Sequence, residues 1–134
     1  MAARFLLDTH IMVRWHAEPK RLSRDQTRVL RDAARQGEQV AISAMTLLEI
    51  ALLFGEGRAR SDTPAGELLR EIDVNPAIQI LPLSVQVAEE VAALGPSLRD
   101  PADRAIIATA RVHKLRLLTS DQRIIDSKLV SVVG

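Results

Sequence analysis

The chain is cut into short apolar runs that end on polar residues, with helical periodicity filling the intervals between them. Arg4 to Leu7 stops at Asp8, and Val40 to Ile42 stops at Ser43. Ile78 to Leu81 follows an Asn75-Pro76 break, Arg116 to Leu118 runs into Thr119, Ser120 and Asp121, and Lys128 to Val133 closes the chain. Runs this short and this continuously apolar suit strands covered on both faces. Between them, Ile11, Met12 and Trp15 recur at helical spacing, and Ser23 is placed to cap a helix to Gln36 with Leu22, Val29, Leu30, Ala33 and Ala34 on one side. Ser43 is a candidate cap for Ala44 to Phe54, and Pro64 opens a helix to about Asp73. Ser84 caps a further helix that Gly95 and Pro96 end after Leu94, then come Pro101 to His113 and the short stretch Asp121 to Asp126. Gly55 to Thr63, polar and glycine-containing, reads as a surface connection. Strand and helix alternating in this way predict βαβ units: an α/β fold with a central parallel sheet of about five short strands and helices on both faces.

Composition narrows the function classes. A chain of 134 residues without repeats or an internal linker reads as one domain over 1–134. The absence of cysteine excludes thiolate metal sites, disulfides and cysteine nucleophiles, and favours an intracellular setting. The most apolar region, Val40 to Phe54, is too short to span a bilayer and contains Glu49, so a soluble, cytoplasmic protein with no membrane association is expected. A net charge of +1 provides no gross field for nucleic acid, although fifteen of the eighteen basic residues are arginine. Arg24, Arg28, Arg31 and Arg35 form one helical stripe, which reads as a solvated face and is the weaker candidate for contacting a nucleic-acid backbone. With aromatics confined to Phe5, Trp15 and Phe54, base-stacking platforms are disfavoured.

The most informative stretch is RDPADRAIIATA, Arg99 to Ala110. Asp100 before Pro101 is a good N-cap, Asp103 falls in the first turn, and Ile106, Ile107 and Ala110 form a packing face with Ala105 and Ala108 keeping the helix slim. Acidic capping alone explains such a pair. The remaining acids make that explanation incomplete, because Asp8 ends one strand, Asp121 follows another, and Glu49 sits in TLLEIALL, where a carboxylate must find solvent, a basic partner or a metal. In a parallel sheet these positions fall at the carboxyl edge, where ligands gather. Crowded carboxylates require a cation to stay ionised together, and an all-oxygen donor set without paired histidines or an EF-hand loop selects Mg²⁺ or Mn²⁺ over zinc and calcium. Such an ion activates water for attack on a phosphodiester.

FLLDTH, LLEIALL, RDPADRAIIATA and LLTSD resemble, in order and spacing, the acidic motifs of PIN-domain ribonucleases, above all the VapC toxins of toxin–antitoxin pairs. The resemblance spans nearly the whole chain and implies a PIN-like three-layer sandwich. It implies Asp8, Glu49, Asp103 and Asp121 as the four acidic catalytic positions, with Asp8, Asp103 and Asp121 as metal ligands and the first two foremost. It further implies Thr9 and Thr119 as supporting hydroxyls, and Asp100 as an additional acid of the DP-x-DR subgroup. Ala102 in place of a bulky residue, and Leu98 where some relatives carry histidine, depart from the pattern and suggest altered substrate contacts. The implied partners are an RNA substrate, with tRNA one candidate, a VapB-like antitoxin whose tail covers the acidic cleft, and a second copy of the chain in a homodimer.

Other readings stay open on the residues. A phosphatase with Asp8 as nucleophile wants an acid where His10 stands, and a receiver domain wants a lysine that LLTSD lacks. A housekeeping PIN nuclease fits the same residues, whereas a non-catalytic binding module would not require all four acids. His10, His16 and His113 read as surface or packing residues. The apolar helix Ala44 to Phe54, together with Leu68, Leu69 and Ile72, offers more apolar surface than a small sheet buries and suggests a groove for an amphipathic partner helix.

Overall fold

A computed structural model describes residues 2–54 and 64–134. Five strands, β1 (Phe5–Leu7), β2 (Val40–Ser43), β3 (Ile78–Leu81), β4 (Arg116–Leu118) and β5 (Val132–Val133), form one sheet in the order β3-β2-β1-β4-β5. Every neighbouring pair is parallel, and the central strand is β1, with Leu6 opposite Ala41 and Leu117, and Leu7 opposite Ile42 and Leu118. The helices are α1 (Thr9–Ala17), α2 (Arg24–Arg35), α3 (Ala44–Phe54), α4 (Pro64–Val74), α5 (Val85–Ala93), α6 (Pro101–His113) and α7 (Gln122–Ser127). The α/β class, the parallel sheet and the helix positions expected from the sequence are all present.

The pleat explains why the central strand is apolar and buried at every position. Phe5, Leu7, Val40, Ile42 and Leu118 face one cluster with Ile11 and Met12 of α1, Leu30 of α2, Ile50 of α3, and Leu68 and Ile72 of α4. Leu6, Ala41 and Leu117 face a second cluster with Val87 of α5, Ile106, Ile107 and Ala110 of α6, and Ile124 of α7. Successive side chains of a strand point to opposite faces, so a strand sandwiched between helices has no position left for a polar residue. The result is the three-layer arrangement. Fully burying each large side chain contributes roughly 1.5–3 kcal/mol, which makes these two layers the main source of stability.

Topology then positions the site. The chain steps outward from β1 to β2 and β3, and only afterwards lays β4 and β5 on the other side of β1. At such a reversal the connections leave the sheet in opposite directions and open a crevice at the carboxyl ends, here between β1 and β4.

Four expectations are corrected. The last strand is only Val132–Val133, because Lys128 adopts the left-handed conformation (φ 55°) that caps α7, and the residues after it carry the chain to the sheet edge. Ala34 is exposed rather than on the packed side of α2. Leu68 and Ile72 are consumed by the core, so α4 offers no apolar face with them, whereas Leu48, Leu52 and Leu53 of α3 are exposed. Leu98, expected from the sequence to bear on substrate contacts, has its side chain buried in the second core cluster. The connection expected over Gly55 to Thr63 lies outside the described residues.

Candidate active site

Asp8, the first residue after β1, is the N-cap of α1, its carboxylate accepting from the Ile11 amide at 2.9 Å. Asp100 caps α6 by accepting from the Ala102 and Asp103 amides at 2.8 and 3.1 Å, and Asp121 caps α7 by accepting from Arg123 N at 2.9 Å. Three caps at one sheet edge follow from helices that begin where the chain leaves it. Capping uses Oδ1 in each case and leaves Oδ2 to another partner, which for Asp121 is Arg123. For these aspartates, capping a helix and lining the same cleft are compatible.

These caps converge with other acids on one cleft of about 230 Å³, lined by Asp8, Thr9, His10, Glu49, Asp100, Asp103, Asp121 and Arg123, with Leu53 and Ile106 as its apolar walls. Glu49 arrives because β2 passes directly into α3, and α3 touches α6. The Thr9 hydroxyl donates to Glu49 Oε1 at 2.5 Å and lies 3.1 Å from the buried Thr46 hydroxyl, which must then be the donor of that second bond. Thr119 accepts from the Asp121 amide at 3.1 Å and hydrogen-bonds the Asp8 carboxyl. Both supporting threonines, and all five acids singled out from the sequence, thus belong to this cleft or brace it.

The electrostatics record the crowding. Burial pushes the Asp8 carboxyl above its ordinary value, against hydrogen bonds from Thr119 and the Ile11 amide that pull it down. Asp103 is pushed up to about 6, first by burial, then by the charges of Asp100 and Asp121. Asp121 moves the other way, held below the usual carboxylate range chiefly by its hydrogen bond from Arg123. That guanidinium sits in the cleft with Nη2 2.9 Å from Asp121 Oδ2, Nε 3.3 Å from Asp121 Oδ1, and Nη2 3.5 Å from Asp103 Oδ2. Among the described residues no three acids stand close enough to enclose one ion as they are placed here. In donor chemistry the set fits a hard divalent cation: only oxygen ligands, several of them acidic, and one carboxyl raised by its neighbours' charge.

Several contributors escaped the sequence reading. Arg123 is one. Arg104 is another: it donates to the carbonyls of Gly95 and Leu98, each at 2.6 Å, and of Val91 at 2.7 Å, bracing the loop that presents Asp100. Gln26 is fully buried and reaches Thr119 O and Val133 O at 3.3 Å, tying α2 to the ends of β4 and β5. Its signal was present, since Ser23-x-x-Gln26 is a capping box. His10 lies at the cleft rather than on a remote surface, whereas Arg24, Arg28, Arg31 and Arg35 are exposed and do not line it.

Known proteins resemble this chain in sequence and in fold. Residues 5–128 match the PIN domain family. Ribonuclease VapC22 of Mycobacterium tuberculosis is 33% identical over 120 residues, covering 89% of this chain and 88% of that protein. The fold is similar to VapBC2 from Rickettsia felis bound to a promoter DNA fragment (TM-score 0.71, 16% identity, 99% of this chain and 98% of that one). It is also similar to FitAcB from Neisseria gonorrhoeae (TM-score 0.69, 24% identity, 97% and 96%). By its match over residues 5–128 and its identity to a VapC ribonuclease, this chain belongs to the PIN-domain family, on its VapC branch.

Proposed function

We propose that this chain is a metal-dependent endoribonuclease that hydrolyses RNA phosphodiester bonds and acts as the toxin of a toxin–antitoxin pair. The observation that carries the reading is the single cleft at the β1/β4 reversal into which Asp8, Glu49, Asp100, Asp103 and Asp121 converge. Kinship with a protein named a ribonuclease supports the chemistry, and fold kinship with VapBC complexes supports a VapB-like partner.

Asp8, Asp103 and Asp121 would hold a Mg²⁺ or Mn²⁺ ion, which when bound lowers the pKa of water and offsets charge developing on the phosphate. Glu49, oriented by Thr9 and Thr46, would accept the proton of the attacking water, and Thr119 keeps the Asp8 carboxylate aimed into the cleft. Asp100 supports Asp103 from the preceding turn of the same helix start. The two core clusters draw on residues from Phe5 to Val133, which fits one domain over 1–134. The exposed Leu48, Leu52 and Leu53 of α3 are surface open to an antitoxin helix or a second copy in a homodimer. No helix among the described residues is long and apolar enough to cross a membrane. We propose a cytoplasmic site of action on RNA, with tRNA one candidate.

Expression alone and with the adjacent open reading frame tests this. Growth arrest with wild type, its absence with Asp8→Asn and with the adjacent frame, and EDTA-sensitive RNA cleavage by the purified chain are the expected outcomes. Cleavage at full rate in EDTA would exclude the metal mechanism. Cleavage without growth arrest would leave a housekeeping nuclease.

A further inference from the structure

Asp103 lies in the first turn of α6 and Asp121 caps α7, and one guanidinium is ion-paired with both. Arg123 forms a fork on Asp121, Nε to Oδ1 at 3.3 Å and Nη2 to Oδ2 at 2.9 Å, and the same Nη2 reaches Asp103 Oδ2 at 3.5 Å. Among the described residues lining the cleft it is the one arginine or lysine. The oxygens it occupies are those that a divalent ion between these helices would need. Among the described residues no three acids stand close enough to enclose an ion.

The attachment is built to be given up. The Arg123 side chain is 68% exposed, against 18% for Asp103 and 28% for Asp121, so the acids sit at the cleft wall and the arginine reaches in from its mouth. Exposed ion pairs of this kind are weak and screened by salt, and a divalent ion with two charges to offer the same carboxylates displaces them. A planar guanidinium released at the mouth presents the bidentate donor pair that suits a phosphate.

We propose that Arg123 is an internal exchange cation: it neutralises Asp103 and Asp121 in the metal-free protein, yields them to the divalent ion, and then takes a phosphate of the incoming RNA. Metal and RNA phosphate thereby assist each other's binding, because each favours the state in which Arg123 has left the acids. This rests on the metal-dependent reading above.

The test is Mn²⁺ binding to the intact protein, without RNA, by calorimetry or by the electron paramagnetic resonance of free Mn²⁺. Arg123→Gln is expected to bind Mn²⁺ about tenfold more tightly than wild type, with Arg123→Lys between them. Uridine 5′-monophosphate, which has no phosphodiester to cut, should raise Mn²⁺ affinity more in wild type than in Arg123→Gln. Equal affinities in wild type and Arg123→Gln, with unchanged thermal melts, would overturn the exchange while leaving the metal site intact. Weaker Mn²⁺ binding in Arg123→Gln would overturn it too, by making Arg123 a brace for the ligands. Folded wild type that binds no Mn²⁺, or binds it equally after Asp103→Asn, would remove the metal reading and the exchange with it.

Discussion

The acidic edge has two halves that solve one problem differently. At the β1 side, Asp8 and Glu49 are fixed by neutral donors, namely the Ile11 amide, Thr119 and the Thr46-Thr9 pair, most of them buried. At the α6–α7 side, Asp103 and Asp121 are held by a charged, exposed side chain. Neutral donors orient a carboxylate without removing its charge, so the first half remains hungry for a cation. A guanidinium satisfies both charge and geometry, so the second half is already occupied. One edge therefore combines a rigid half that waits for a cation with an exchangeable half that must release one.

The largest expected effect comes from breaking the rigid half. Asp8→Asn retains the cap on α1, since asparagine accepts from an N3 amide as well as aspartate does, and it removes a buried charge. RNA cleavage should fall by on the order of a thousandfold, through loss of a ligand, while thermal melting stays equal or rises. Asp103→Asn should silence cleavage likewise. An Asp8→Asn protein that unfolds would show that the cap, and not the charge, is what position 8 supplies.

Next in size is the pH response of the exchangeable half. The folded protein holds the Asp103 proton more tightly than the unfolded chain, with a value of about 6 against an ordinary 3.8. Asp103 consequently favours the metal-free fold below the ordinary value, and this contribution is lost as pH rises through about 6. Asp121, lowered by Arg123, is ionised across that window and adds nothing to its slope. Wild type minus Asp103→Asn in thermal melting should decline over this range, in EDTA. Metal must displace the proton, so cleavage at limiting Mg²⁺ should fall about tenfold per pH unit below the Asp103 value. A flat profile in both measurements would leave Asp103 unprotonated and the two halves electrostatically alike.

Much of this was legible in the sequence, and the illegible part lies in side-chain placement. Runs such as FLL and RLL announce strands because both faces are buried, and Asp8, Asp100 and Asp121 stand out as caps at strand-to-helix junctions. Acids at such junctions converge by topology alone, without side-chain detail. The braces depend on rotamers and on contacts between distant segments: Thr46 meets Thr9 across 37 residues, and Gln26 meets Val133 across 107. Arg123, two residues from Asp121, looks in sequence like any surface arginine, and only the packing of α7 beside α6 turns it into the cleft. Leu68 and Ile72 erred in the opposite direction, since amphipathic spacing marks a buried face without saying what buries it.

A smaller effect should follow from loosening the loop that carries the exchangeable half. Arg104 holds the carbonyls of Gly95 and Leu98 between α5 and α6 and that of Val91 in the last turn of α5, and Arg104→Ala leaves all three to find water. A loss of about 2 kcal/mol in urea unfolding is expected, as charged hydrogen bonds at half-buried sites contribute at that level. Mn²⁺ affinity should drop with it, because Asp100 and Asp103 lose their fixed start of α6. Unchanged stability would mean that the capping by Asp100 suffices to order the turn.

The smallest effect falls on the arginine stripe, and it sharpens the contrast by leaving both halves alone. Arg24, Arg28, Arg31 and Arg35 are exposed along α2, and Arg28 pairs with Asp25 at 3.1 Å in an exposed ion pair of little energetic weight. α2 is anchored at its start by Gln26 to the ends of β4 and β5, so its exposed face turns away from the sheet that presents the acids. A phosphate seated over the cleft meets Arg123 first, and each phosphate that goes without its cationic partner should lower the salt slope of RNA binding by about one. Arg123→Gln is therefore expected to reduce that slope, and Arg28→Gln with Arg31→Gln to leave it and the affinity unchanged. A reduced slope in the α2 double variant would extend the RNA path over α2 and make the stripe part of the substrate surface.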